Sequence, residues 1–161
     1  ARNFFSTIPP SIVGGGKGGS SSSLLSSLET LDLSYNHLGS IPVEIQNLKS
    51  LRELQLDNNM IVWLPDEIGQ LSKLKVLSLK NNKLSSVSVS KNQQQQQRQP
   101  LPKSLFVQTP IIDLNLHGNP LSSTQVNDFD GFDVFLSRRR DVKTKDLVGG
   151  AMTNLDVCGL K

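Results

Sequence analysis

Asparagines recur in this chain at a fixed interval. Asn36, Asn59 and Asn82 lie 23 residues apart, and each closes the same phrase. It reads Leu31-x-Leu33-x-x-Asn36-x-Leu38, then Leu54-x-Leu56-x-x-Asn59-x-Ile61, then Leu77-x-Leu79-x-x-Asn82-x-Leu84. A fourth copy reads Leu114-x-Leu116-x-x-Asn119-x-Leu121. A repeat of roughly 20 to 50 residues means that one supersecondary unit is stacked on copies of itself. No single unit buries its own leucines, so neighbours must supply the cover.

The register extends beyond these copies. Asn82 to Asn119 is 37 residues, or 23 plus 14. Removing Val87–Pro100, which holds the Gln93–Gln97 run, restores the phrase N-x-L-x-x-L-P-x-x-I/L. That phrase is intact in Asn36…Ile41-Pro42…Ile45 and in Asn59…Leu64-Pro65…Ile68. It also opens the chain, as Asn3-x-Phe5-x-x-Ile8-Pro9-x-x-Ile12. Asn3 to Asn36 is 33 residues, or 23 plus 10, and the surplus is Gly14–Ser23. Both surpluses fall on the return stroke after the asparagine turn. Gly14–Ser23 reads as a flexible loop, and Val87–Pro100 as a disordered polar tract. Loops accept added length at small entropic cost, so both are expected to be tolerated expansions. The strand of the first repeat would lie before Ala1, so the chain reads as truncated there.

Residue types explain the phrase. Alternating leucines form one short strand per repeat, stacked in parallel, with leucines inward and the residues between them outward. The asparagine amide satisfies backbone groups where the chain leaves the strand. The L-P-x-x-I stretch, with Leu48 and Leu71 after it, returns along the convex side. After Leu121 the phrase stops. Ser122-x-x-Gln125 reads as a capping box. Val126, Phe129, Phe132, Phe135 and Leu136 recur near helical spacing. One amphipathic helix over residues 124–140 is expected to cover the last repeat, weakened at Gly131 by up to about 1 kcal/mol. Residues 1–140 are thus read as one solenoid with its cap, and 141–161 as a basic tail.

L-x-x-L-x-L-x-x-N-x-L is the leucine-rich repeat signature, and the chain resembles that family over most of its length. The resemblance implies an α/β solenoid: a curved parallel sheet, a short helical or irregular convex side and a helical C-terminal cap. Asp130-Gly131-Phe132-x-x-Phe135-x-x-Arg138-Arg139 resembles the ending of small intracellular leucine-rich repeat proteins, including plant ones akin to the Ras-group-related class. The 23-residue L-P-x-x-I repeats are similar to that class too. It implies a cytoplasmic interaction protein, in signalling or as a scaffold.

Charge and chemistry narrow the function. Residues 1–137 carry 11 Lys/Arg and 11 Asp/Glu, so the net charge of +3 lies in residues 138–161. A neutral solenoid argues against nucleic-acid binding by the repeats. Arg138, Arg139 and Arg140 are either an anionic contact or a solvated helix end, where positive charge is favoured. Cys158 is the single cysteine, so no internal disulfide forms. There is no N-x-S/T sequon, transmembrane-length window or visible signal peptide, which favours a reducing, intracellular setting. His37 and His117 occupy different repeat positions and are not expected to share a metal. Asp66-Glu67 reads as a solvated convex pair rather than an acid/base couple. GGGKGG lacks the spacing of a phosphate loop. No cofactor, metal or catalytic residue is expected, and the chain reads as non-enzymatic.

What remains is surface. The concave positions are Thr30, Asp32 and Ser34; Glu53, Gln55 and Asp57; Val76, Ser78 and Lys80; Asp113, Asn115 and His117. Polar faces of mixed charge suit a protein partner. Tyr35 stands at a strand exit. Trp63, the only tryptophan, fills a slot held by Ser40 and Ser86 in neighbouring repeats, and is either an exposed anchor or a lid on its neighbours. Two rival roles remain: a structural subunit held by its cap and tail, or the repeat portion of a longer receptor or enzyme.

Overall fold

The computed structural model describes residues 5–9, 13, 27–85, 87–88 and 97–146. In chain order the strands are β1 (Thr30–Asp32), β2 (Glu53–Gln55), β3 (Val76–Ser78), β4 (Val87–Ser88), β5 (Gln97–Arg98) and β6 (Asp113–Asn115). A four-stranded parallel sheet runs β1-β2-β3-β6. Its register aligns Thr30, Glu53, Val76 and Asp113. Those are the steps of 23, 23 and 37 that the asparagine spacing requires. Leu54, Leu56, Leu77, Leu79, Leu114 and Leu116 are buried, and a single apolar cluster runs from Ile8 to Phe135.

Each strand stops early because the residue before each asparagine turns the chain aside. Tyr35, Asn58, Asn81 and Gly118 all have positive φ, between 54° and 74°. At Gly118 an added Cβ would run into Asn81 Oδ1, so crowding, more than the left-handed backbone that its three counterparts share, favours glycine there. The following asparagines form a ladder between repeats. Asn59 Oδ1 accepts the Leu38 N–H at 3.0 Å, while its amide donates to Leu33 and Leu56 carbonyls at 3.0 Å each. Asn82 repeats the pattern with Ile61, Leu56 and Leu79, and Asn119 with Leu84, Leu79 and Leu116. One side chain thereby satisfies backbone groups of two repeats that no strand reaches.

Proline starts each return stroke, with φ already near its helical value. Pro42 and Pro65 open 3-10 turns at Val43–Asn47 and Asp66–Gln70, and Pro102 opens helix α1 (Lys103–Gln108). Ile45, Ile68 and Leu105 from these turns are fully buried. Ahead of β1, Phe5, Ile8 and Val13 take up positions of such a stroke. Phe5 donates its N–H to Asn36 Oδ1 at 3.3 Å and accepts the His37 N–H at 3.0 Å. Ile8 and Val13 then join the core.

At the ends of the insertion, β4 pairs antiparallel with β5; residues 89–96, where the disordered tract is expected, lie outside the described residues. Leu64 donates its N–H to the Pro100 carbonyl at 2.9 Å, which ties the end of the insertion to the neighbouring repeat. Gly14–Ser23 lies outside the described residues, as does most of the glutamine run.

The cap differs from the single helix expected over 124–140. It is two helices, α2 (Ser123–Asn127) and α3 (Phe132–Asp146). The capping box is present: Ser122 Oγ accepts the Gln125 N–H at 3.2 Å, and Gln125 Oε1 accepts the Ser122 N–H at 2.9 Å. Gly131 breaks the run at φ +82°, where an added Cβ would lie 2.9 Å from Val107 Cγ2. It is a corner, not a weak point inside one helix. The corner lets Phe132 and Phe135 pack on Phe106 of α1, with ring centroids 5.3 to 6.1 Å apart. Because α3 continues to Asp146, the tail boundary placed at 141 falls inside a helix.

Candidate functional site: the polar face of the sheet

Since the leucines of each strand are committed to the core, the residues between them project from the opposite face. The register gathers them into rows. Thr30, Glu53, Val76 and Asp113 form one row, and Asp32, Gln55, Ser78 and Asn115 a second. Ser34, Asp57, Lys80 and His117 follow just beyond the strand ends. All twelve are exposed or half-buried, as is Tyr35. The structure thus brings the sequence-derived face residues together on one surface.

Several of these side chains are already held in place. Gln55 Nε2 donates to Glu53 Oε1 at 2.7 Å. The Ser34 hydroxyl and N–H hold the Asp32 carboxyl below its ordinary range, and the N–H contact is 2.8 Å. Asp57 Oδ1 accepts the Ser78 hydroxyl at 2.6 Å and the Lys80 N–H at 2.9 Å. Asp57 is therefore a brace between repeats as well as a surface acid. Sequence reasoning placed it on the face but missed the brace. The signal was there, since Ser78 lies 21 residues on, one repeat less the two-residue offset of a diagonal contact. A second cross-repeat bond joins Asn81 Nδ2 to Asn58 Oδ1 at 2.9 Å. The Arg52–Glu29 pair at 3.5 Å is exposed and contributes little.

Tyr35 sits on the rim of this face, 59% exposed and at φ 59°. It holds with a bulky side chain the left-handed slot that asparagine or glycine fills in the other repeats, at a cost of order 1 kcal/mol. Trp63 is half-buried in the return stroke, outside the strand rows. Among the basic residues, Arg138 is taken inward. Its guanidinium donates to the carbonyls of Ile111 and Phe106 at 3.1 Å each, fastening α3 to the last repeat. Arg139 is half-buried, and Arg140 alone of the three is exposed. Arg138 is thus a docking residue, and all three arginines stand within α3 rather than at a helix end.

Asp66 and Glu67 open a convex turn, and the Asp66 carbonyl accepts the Ser104 hydroxyl at 2.7 Å. His37 and His117 are both exposed at separate repeat positions. Among the described residues no three His, Cys, Asp or Glu side chains gather to hold a metal. None of their helices is long and apolar enough to cross a membrane. Cys158 lies outside the described residues.

A leucine rich repeat family model matches residues 18–61. A solved leucine-rich repeat protein of Leptospira interrogans is similar in structure, with a TM-score of 0.59 and 32% sequence identity. The likeness covers 78% of this chain and 26% of that protein, so the chain spans about a quarter of its length. No curated protein matches in sequence. The stacked parallel strands, the asparagine ladder and these likenesses together make the fold a leucine-rich repeat solenoid, a kind of domain that generally acts by binding other proteins.

Proposed function

We propose that this chain is a non-enzymatic protein-recognition module that binds its partner on the polar face of β1, β2, β3 and β6. One observation carries the reading. Four in-register strands present a continuous surface of mixed charge whose side chains are braced before any partner arrives, by Gln55–Glu53, Ser34–Asp32 and Ser78–Asp57 contacts. Pre-ordered side chains lose less conformational freedom on binding. The face is acidic along β1 and β2, at Asp32, Glu53 and Asp57, and becomes mixed at Lys80, Asp113 and His117. A single cysteine and the absence of sequons support a reducing, intracellular setting, in signalling or as a scaffold.

The test changes the face without touching its braces to the backbone. Glu53→Lys, Gln55→Ala and Asp113→Lys together leave Asp57 and the asparagine ladder intact. Circular dichroism and the melting curve should stay as in the parent chain. Capture of the native partner should fall tenfold or more, about 1.4 kcal/mol. Undiminished capture by a normally folded triple variant would remove this face from consideration.

A further inference from the structure

The polar face is charged against the rest of the chain. Its strand and strand-exit positions hold four carboxylates, Asp32, Glu53, Asp57 and Asp113, and one ammonium, Lys80, a net of −3 on a chain of net +3. Adding the strand-entry row of Glu29, Arg52, Lys75 and Ile112 leaves the face at −2, and there Arg52 is already paired with Glu29 at 3.5 Å. The acids gather along the seam between β1 and β2. Thr30 stands opposite Glu53 and Asp32 opposite Gln55, so Asp32 lies one strand across and two residues along from Glu53. The Tyr35 N–H donates to the Asp57 carbonyl at 2.9 Å, which sets Asp57 two residues further on again. At ~4.8 Å between strands and ~3.3 Å per residue, Glu53, Asp32 and Asp57 zigzag along the seam, rising about 6.6 Å at each step.

We infer that the partner lays along this seam an extended segment carrying Lys or Arg at alternate positions. The inference rests on the reading of the polar face as the binding surface, and adds the chemistry of what binds there. Alternate side chains of an extended segment point to one side and stand about 6.6 Å apart, the same rise as the three carboxylates. Each carboxylate is held by a neighbour yet keeps acceptor capacity. Asp32 Oδ1 takes the Ser34 N–H, Glu53 Oε1 takes the Gln55 amide, and Asp57 takes the Ser78 and Lys80 bonds on Oδ1 alone. Tyr35, 59% exposed beside Asp57, offers a ring face to a cation at the end of the row. Lys80, in register with Asp57 on the β3 side, repels the same segment and confines it to the seam. An acidic segment would meet like charge along the whole row, which opposes association.

The probe is a fluorescent heptapeptide of alternating serine and arginine, titrated into the full chain at low salt and read by fluorescence anisotropy. Saturable binding is expected, tighter by about tenfold than for the glutamate counterpart. An isomer with its arginines consecutive should bind more weakly than the alternating peptide. Asp32→Asn with Glu53→Gln leaves oxygens that still accept from Ser34 and Gln55. This pair should weaken binding by about fivefold, as the loss of two exposed charges allows. Asp66→Asn with Glu67→Gln, on the convex turn, should leave it unchanged. Equal effects of the two pairs would reveal diffuse attraction to any carboxylate and overturn the inference. So would equal binding of the arginine and glutamate peptides, or of the two arginine isomers. The face itself is read separately. If the Glu53→Lys, Gln55→Ala, Asp113→Lys variant loses its native partner while arginine shows no advantage, the face stands and the cationic segment falls.

Discussion

Leu114 and Leu116 on β6 hold the same repeat slots as Leu31 and Leu33 on β1, at opposite edges of one sheet. The first pair is buried and the second only partly so. At the β6 end the repeat is followed by α2 and α3, whose Phe132 and Phe135 close on Phe106 while Arg138 fastens two carbonyls. At the β1 end, among the described residues, Phe5, Ile8 and Val13 lie against the stack. Stacking alone therefore does not seal a solenoid. A layer at the end of the stack needs apolar atoms on its outer side together with partners for its backbone groups, and among the described residues the β6 end has both.

The comparison breaks first at the aromatic corner. Phe132→Ala should cost about 3–5 kcal/mol, because it opens a cavity among three packed rings. Urea denaturation of the variant against the parent measures this. A change below about 1 kcal/mol would mean that the cap is ornamental and the two ends are alike.

Matched leucines then sharpen it. Leu77→Ala, in the sealed middle of the sheet, should cost about 2–5 kcal/mol. Leu31→Ala, on β1, should cost less than half as much, since Leu31 is only partly buried. Equal losses from the two variants would show that β1 is covered as well as β3.

The asparagines make a smaller version of the same contrast. Asn59→Leu strands backbone groups in two repeats and should cost about 1–3 kcal/mol. Asn36→Leu should cost less, because Asn36 braces Phe5 at 3.3 Å and, among the described residues, otherwise bonds within its own turn. Thermal melts of the pair read the difference directly.

Tyr35→Asn should give the smallest effect, and of opposite sign. It relieves a left-handed backbone of a bulky residue and should stabilise by about 0.5–1 kcal/mol. A loss instead would mean that the exposed ring packs on something within the fold.

Much of this was legible before any coordinates. The 23-residue phrase specified strand positions, register, asparagine turns and the proline starts of the return strokes, because each depends on local chemistry repeated in phase. The face residues followed from leucine alternation. The capping box at Ser122 was equally local. The break at Gly131 was not, since helical spacing of Val126, Phe129, Phe132 and Phe135 continues through it. Only contact with Val107 and Phe106 decides that the chain turns there. Likewise Arg138 reads as surface charge until two carbonyls of the last repeat come within reach.

What the sequence determined by itself was the period, and with it the architecture and the identity of the exposed face. Periodic burial leaves one solution for where leucines go. Tertiary structure decided what had no period: the Asp57 brace, the two-helix cap and the inward turn of Arg138. Each of these depends on distances between segments far apart in the chain. Such distances are set by packing in three dimensions, not by the identity of neighbouring residues.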